Sequence, residues 1–139
     1  VLGTTMGLTG VFKPEALLVS LPVGVLITGV ILINEFPDYQ ADRATGKNTL
    51  VVRLGKERCF RGLALLLGAA YLLMTVNLLL LGSYRYLLSF VFTLPLAVWV
   101  YRFGKRHLEE AKKFVPACAG MMIIHLLNSL LLVLACWRR

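Results

Sequence analysis

Apolar positions fall into four long runs, and charged positions are confined to the stretches between them. Residues 16–33, 62–84, 86–101 and 114–137 carry no Asp, Glu, Lys or Arg. At ~1.5 Å of rise per residue, such runs match a hydrocarbon core of ~30 Å, so each predicts a membrane-spanning helix. The third has sixteen residues, short of a full crossing. Arg102 is therefore expected to snorkel to the interface while Phe103 and Gly104 complete the span. Residues 1–12 are apolar but too short to cross, and no basic region precedes them as in a signal peptide. They read as the tail of a helix that starts earlier. The predicted fold class is an all-α membrane protein, a multi-span helix bundle of four full spans plus a partial one.

Composition agrees, since 58% of residues are hydrophobic and 16% charged, outside the range of soluble domains. The net charge of +8 does not indicate nucleic acid, because the bases sit at span ends and not on one soluble face. Eleven of the fifteen Lys and Arg lie in two connections, 35–61 and 102–113, which four spans place on one side. That asymmetry predicts a cytoplasmic position for both, although Arg138 and Arg139 pull the other way. Cys59, Cys118 and Cys136 form no C-x-x-C pair, and the last two are ~27 Å apart along one helix. Free thiols are expected.

The connection after the first span holds the candidate chemistry. Phe36-Pro37 should interrupt the helix, and a short helix can restart at Pro37 and stop at Gly46. On a roughly continuous helical path, Asn34, Asp38 and Asp42 are four apart and line one stripe. Stacked carboxylates suit a hard cation such as Mg²⁺, which is typically held by one or two carboxylates plus substrate phosphates. Lys47 and Arg53 follow as a point charge and a planar fork for phosphate oxygens. Without a metal, each close pair of like charges between carboxylate and diphosphate would repel by roughly 4 kcal/mol at an effective dielectric of ~20. The spacing alone is more often that of a solvated connector.

The stretch "INEFPDYQADRATGKNTLVVRLG" resembles the second aspartate-rich motif of the membrane-embedded aromatic prenyltransferases, the UbiA superfamily. Its GK-x-TL-x-VRLG continuation is most similar to the branch that prenylates 1,4-dihydroxy-2-naphthoate in menaquinone biosynthesis. The resemblance implies a nine-helix fold, of which residues 13–139 would form the four-helix C-terminal part. The aspartate-rich cytoplasmic loop would lie at 34–58. It implies transfer of a polyprenyl group from a polyprenyl diphosphate to an aromatic acceptor, with Mg²⁺ as cofactor and the lipid bilayer as surroundings. Asp38 and Asp42 would be the metal ligands and catalytic residues. Asn34, Arg43, Lys47 and Arg53 would bind substrate, Arg43 being also placed to meet lipid phosphates.

Two departures stand out. The first aspartate motif is absent from this chain, so the resemblance implies half of an active site, completed by a missing N-terminal half of the same protein. Glu35-Phe36-Pro37 occupies positions expected to vary. Elsewhere, His125, Asn128 and Ser129 share a face and read as interhelical hydrogen bonders, as do Asn77 and Thr75. Gly3-x-x-x-Gly7 suggests a close helix contact, and Lys56 is expected to face lipid head groups. Alternative readings are a membrane cation transporter, whose site would lie nearer mid-membrane, and a structural membrane subunit with a solvated charged loop. The D-x-x-D-G-x-x-A-R pattern of the phosphatidyl-alcohol transferases is missing.

Overall fold

Proline at a helix start loses nothing, because the N–H it lacks has no partner there. After a short first helix, α1 (Leu2–Thr9), the chain stops at Gly10 in the left-handed region and restarts on such a proline as α2 (Pro14–Asn34). Three further long helices follow: α5 (Lys56–Leu81), α6 (Tyr86–Arg106) and α7 (Ala111–Cys136). Between α2 and α5 lie two short ones, α3 (Tyr39–Ala44) and α4 (Leu50–Leu54). The structure, a computed structural model, describes residues 1–82 and 86–136.

The four long helices are each long and apolar enough to cross a membrane. Their apolar runs lie where expected, but the helices reach further at the charged end. α5 begins at Lys56, six residues ahead of its apolar run, and α6 continues through Arg102, Phe103 and Gly104 to Arg106. Glu57 in the first turn of α5 and Lys105 and Arg106 in the last turn of α6 match the helix dipole at those ends. The expected span ends at Tyr84 and Trp137, like Arg85, Arg138 and Arg139, lie outside the described residues.

α2 packs on α5 and α7, and α6 packs on α7 and α5. Along α5, Leu63, Leu67, Ala70 and Met74 are buried, whereas Leu65, Leu72 and Leu79 are exposed, as on a helix with one protein face and one lipid face. Close approaches occur at small residues. A Cβ on Gly29 would come 2.6 Å from Met121 Cε, and one on Gly120 would come 2.6 Å from Val100. Gly3 and Gly7, expected to mark a close contact, meet nothing within 4 Å among the described residues.

Polar side chains within the spans divide. The Asn77 amide donates to the Leu18 carbonyl at 3.0 Å, joining α5 to α2 as expected. Thr75 instead donates back within its own helix to the Tyr71 carbonyl. The interhelical role expected of His125, Asn128 and Ser129 does not appear among the described residues. Asn128 donates to Ile124 within α7, and His125 Nδ1, Asn128 Oδ1 and Ser129 Oγ are buried without a hydrogen-bond partner. His125 lines an apolar groove of about 520 Å³ between α2 and α7. Cys59 and Cys118 are free and buried.

Candidate active-site loop

The proline break is real, and it is longer than the sequence suggests. α2 ends at Asn34, residues 35–38 form turns, and α3 starts at Tyr39, two residues after Pro37. Phe36 drives this turn inward. Its ring stacks on Phe114 at 5.2 Å and meets the edge of Phe60 at 5.9 Å, and Phe60 in turn stacks on Tyr101 at 5.2 Å. One aromatic from α5 and one from α7 thus meet the turn, and Tyr101 of α6 joins them through Phe60. Gly104 permits this crowding, since a Cβ there would lie 3.0 Å from Phe60 and 3.3 Å from Phe114.

Asp38 and Asp42 are brought one helical turn apart by the bond from the Asp42 N–H to the Asp38 carbonyl, 2.8 Å. The single stripe with Asn34 is not formed as expected, because the turn at 35–38 separates Asn34 from the second helix. Asp38 is exposed and Asp42 is buried at 7% exposure. Lys47 Nζ donates to both Asp42 oxygens, at 3.1 and 3.4 Å. The Lys47 N–H bonds the Asp42 carbonyl at 2.9 Å, and Gly46 supplies the positive φ of 73° that returns the chain to Asp42. Asn34, Arg43 and Arg53 are exposed and, like Asp38, have no ion pair or side-chain hydrogen bond among the described residues.

Among the described residues, no group of three or more His, Cys, Asp or Glu is placed to hold a metal by itself. The oxygen donors at Asp38 and Asp42 fit the other arrangement, in which one or two carboxylates share a hard cation with phosphate oxygens. Free exposure of Asp38 and the flexible stem of Lys47 leave room for such a partner.

Four residues outside the expected set shape this site. Glu35, placed among the variable positions, accepts the Val51 N–H at 3.1 Å, while Thr49 Oγ1 accepts the Val52 N–H at 3.4 Å. The first turn of α4 is thereby satisfied by two side chains. Phe36 is the aromatic anchor described above. Lys56 does not face lipid head groups: its side chain, 9% exposed, donates to the Leu108 carbonyl at 3.2 Å and to Glu109 at 3.1 Å, with the Tyr39 ring 5.2 Å away. A sequence reader could have suspected it from its place before the span, but no spacing rule names a partner 53 residues on. Beyond it, hydrogen bonding to Lys113 at 2.6 Å lowers the Glu110 pKa.

Replacing Glu35 with Ala should free the Val51 N–H and cost about 1 kcal/mol locally. Hydrogen exchange over residues 50–54 should then rise about five-fold while the spans keep their protection. Unchanged exchange would mean the carboxylate contributes nothing to the loop.

A model of the UbiA prenyltransferase family matches residues 1–130. The 1,4-dihydroxy-2-naphthoate octaprenyltransferase of Escherichia coli (strain K12) is 39% identical over 97 residues, covering 69% of this chain and 31% of that protein. The chain therefore spans about a third of the length of the curated relative it matches. No solved structure gives a significant match. The family match runs through the aspartate loop and nearly all of the four long helices, and on that evidence the chain belongs to the UbiA prenyltransferase family.

Proposed function

We propose that this chain supplies the second aspartate loop of a Mg²⁺-dependent prenyltransferase. The enzyme moves a polyprenyl group from its diphosphate to an aromatic acceptor, of which 1,4-dihydroxy-2-naphthoate is favoured by the relative named above. The observation that carries this is the pairing of Asp38 and Asp42 one turn apart with Lys47 against them. Asp38 and Asp42 would hold Mg²⁺, which when bound supplies charge to stabilise the departing diphosphate. Lys47, its side chain 64% exposed, can turn from Asp42 to a phosphate oxygen. Arg53, in the last turn of α4, offers a second cation, and Asn34 a neutral donor at the end of α2. Glu35 and Phe36 position these groups by fixing α4 and the turn. Apolar helix walls would keep water from the allylic cation until the acceptor ring attacks it.

The rest of the protein would contribute the first aspartate motif. The direct test is an assay of the full-length protein in detergent with several prenyl diphosphates and aromatic acceptors, with Mg²⁺ or a chelator. Transfer to a dihydroxynaphthoate that stops with chelator supports the proposal. Absence of transfer to any aromatic acceptor contradicts it.

The loop is proposed to face the cytoplasm. Cys59 is a poor reporter because it is buried at 4% exposure. Lys112 is exposed at the start of α7, at the same end of the bundle as the loop. A Lys112→Cys variant with Cys136 replaced should react with an impermeant maleimide in inverted vesicles and not in intact cells. Labelling from outside would reverse the orientation.

A further inference from the structure

We infer that the core of the bundle holds one ordered water between α6 and α7, which donates its two hydrogens to Ser89 Oγ and Asn128 Oδ1. Buried polar groups are not spread evenly along the spans. Toward the aspartate loop the core is apolar, built from residues such as Leu63, Val100, Phe114 and Met121. Toward the opposite end, Asn77, Ser89, Thr93 and Asn128 are all buried, and several of their bonds join helices. Pro22 has no N–H to offer the Leu18 carbonyl, and the Asn77 amide takes that carbonyl instead, at 3.0 Å. The Tyr71 hydroxyl donates to Thr93 at 3.0 Å, and the Thr93 hydroxyl donates in turn to the Ser89 carbonyl at 2.6 Å. Two atoms are left over. Ser89 Oγ and Asn128 Oδ1 are buried and have no hydrogen-bond partner among the described residues.

The Asn128 amide cannot flip to escape this. Its Nδ2 is committed to the Ile124 carbonyl at 3.1 Å, which leaves Oδ1 as the unmatched end. A buried acceptor without a donor costs more than an ordinary hydrogen bond gains. His125 and Ser129 also carry unpartnered atoms, but both are only partly buried, so other parts of the protein can reach them. Ser89, at 1% exposure, and Asn128, at 0%, are enclosed by the long helices themselves. The packing of α6 on α7 brings these two to one depth. A Cβ on Gly104 would come 3.3 Å from Phe114, and one on Gly120 2.6 Å from Val100, which makes the two helices antiparallel neighbours. Ser89 lies fifteen residues before Gly104, and fifteen after Phe114 comes Ser129, next to Asn128. Ser89 extends the buried stripe of Thr93, Ala97 and Val100, and Asn128 extends that of Ala117, Met121 and Ile124. Both orphan oxygens accept, and water brings two donors at once. A cation fits less well, because 16–33, 62–84, 86–101 and 114–137 contain no Asp or Glu, and two neutral oxygens leave its charge uncompensated in the core.

The test uses the full-length protein in a neutral detergent, unfolded by titrated denaturing detergent. Ser89→Ala and Asn128→Leu should each lower the folding equilibrium constant about ten-fold, because each leaves the water with one partner. The double variant should also lose about ten-fold and not about a hundred-fold, since the water departs once both ends are apolar. Single variants that match the parent, losses that multiply, or a gain in stability on Asn128→Leu alone overturns the inference. A structure of the parent that resolves ordered waters should show one within about 3.2 Å of both oxygens. A direct hydrogen bond between Ser89 and Asn128, or no density between them, overturns it as well, even if a variant fails to fold. Stability should be equal in sodium and choline buffers, and a requirement for sodium would overturn the water in favour of a cation. Prenyl transfer is not the readout, so the water site and the proposed activity can fail separately.

Discussion

Replacing Asp38 with Asn in the full-length protein should lower turnover at least ~100-fold, about 2.7 kcal/mol of transition-state stabilisation. The substitution keeps shape and removes charge. Asp38 is the cleaner of the two positions, because it is exposed and has no partner within the described residues. Asp42→Asn should cost as much or more, since it also ends the ion pair with Lys47 at 3.1 Å. Higher Mg²⁺ should partly restore the Asp38 variant if the loss is one of metal affinity. Lys56→Gln is unsuitable as a silent control, because Lys56 joins two loops. Lys112→Gln, exposed at the same end, should stay within a few-fold of the parent. If the Asp38 and Asp42 variants also do so at fixed Mg²⁺, the loop is a connector and the proposed chemistry fails.

The second large effect concerns stability. Phe36→Ala should destabilise the protein by about 3 kcal/mol, the low end for emptying a buried aromatic site. Phe36 is 1% exposed and touches Phe60 and Phe114, so truncation opens a void where α2, α5 and α7 converge. In a membrane the loss is chiefly of packing, because lipid is as apolar as the protein interior. Unfolding by titrated denaturing detergent would measure it. Phe92→Ala, at an exposed position on α6, should change the midpoint little. Equal effects at the two positions would mean that the aromatic cluster holds nothing together.

The helical spans were legible because uninterrupted apolar length is what a bilayer demands. Which face of each helix turns inward was not. Leu63 and Leu65 are the same residue two positions apart, one buried and one exposed, and in a chain surrounded by lipid no polar stripe marks the difference. In the loop, the types and spacing of Asp38, Asp42 and Lys47 announced charge chemistry, and the fold did bring Asp42 and Lys47 together. The break at Phe36-Pro37 was also visible, though not the turn that parts Asn34 from the two aspartates. Glu35 and Lys56 were illegible for one shared reason: each meets its partner across a distance set by packing, 16 and 53 residues along the chain. His125, Asn128 and Ser129 show the opposite case, where a readable face gave the wrong bond.

Lys56 stands at the junction where α4 ends and α5 begins, yet its ammonium is anchored on the connection between α6 and α7, at Leu108 and Glu109. In mechanical terms, the start of α5, just beyond the aspartate loop, and the bend before α7 are tied by one charged link. A pull applied at residue 48 should be felt at residue 109 before any span yields. Under force, the two segments should release in a single step rather than in sequence, and neutralising the link should divide that step in two.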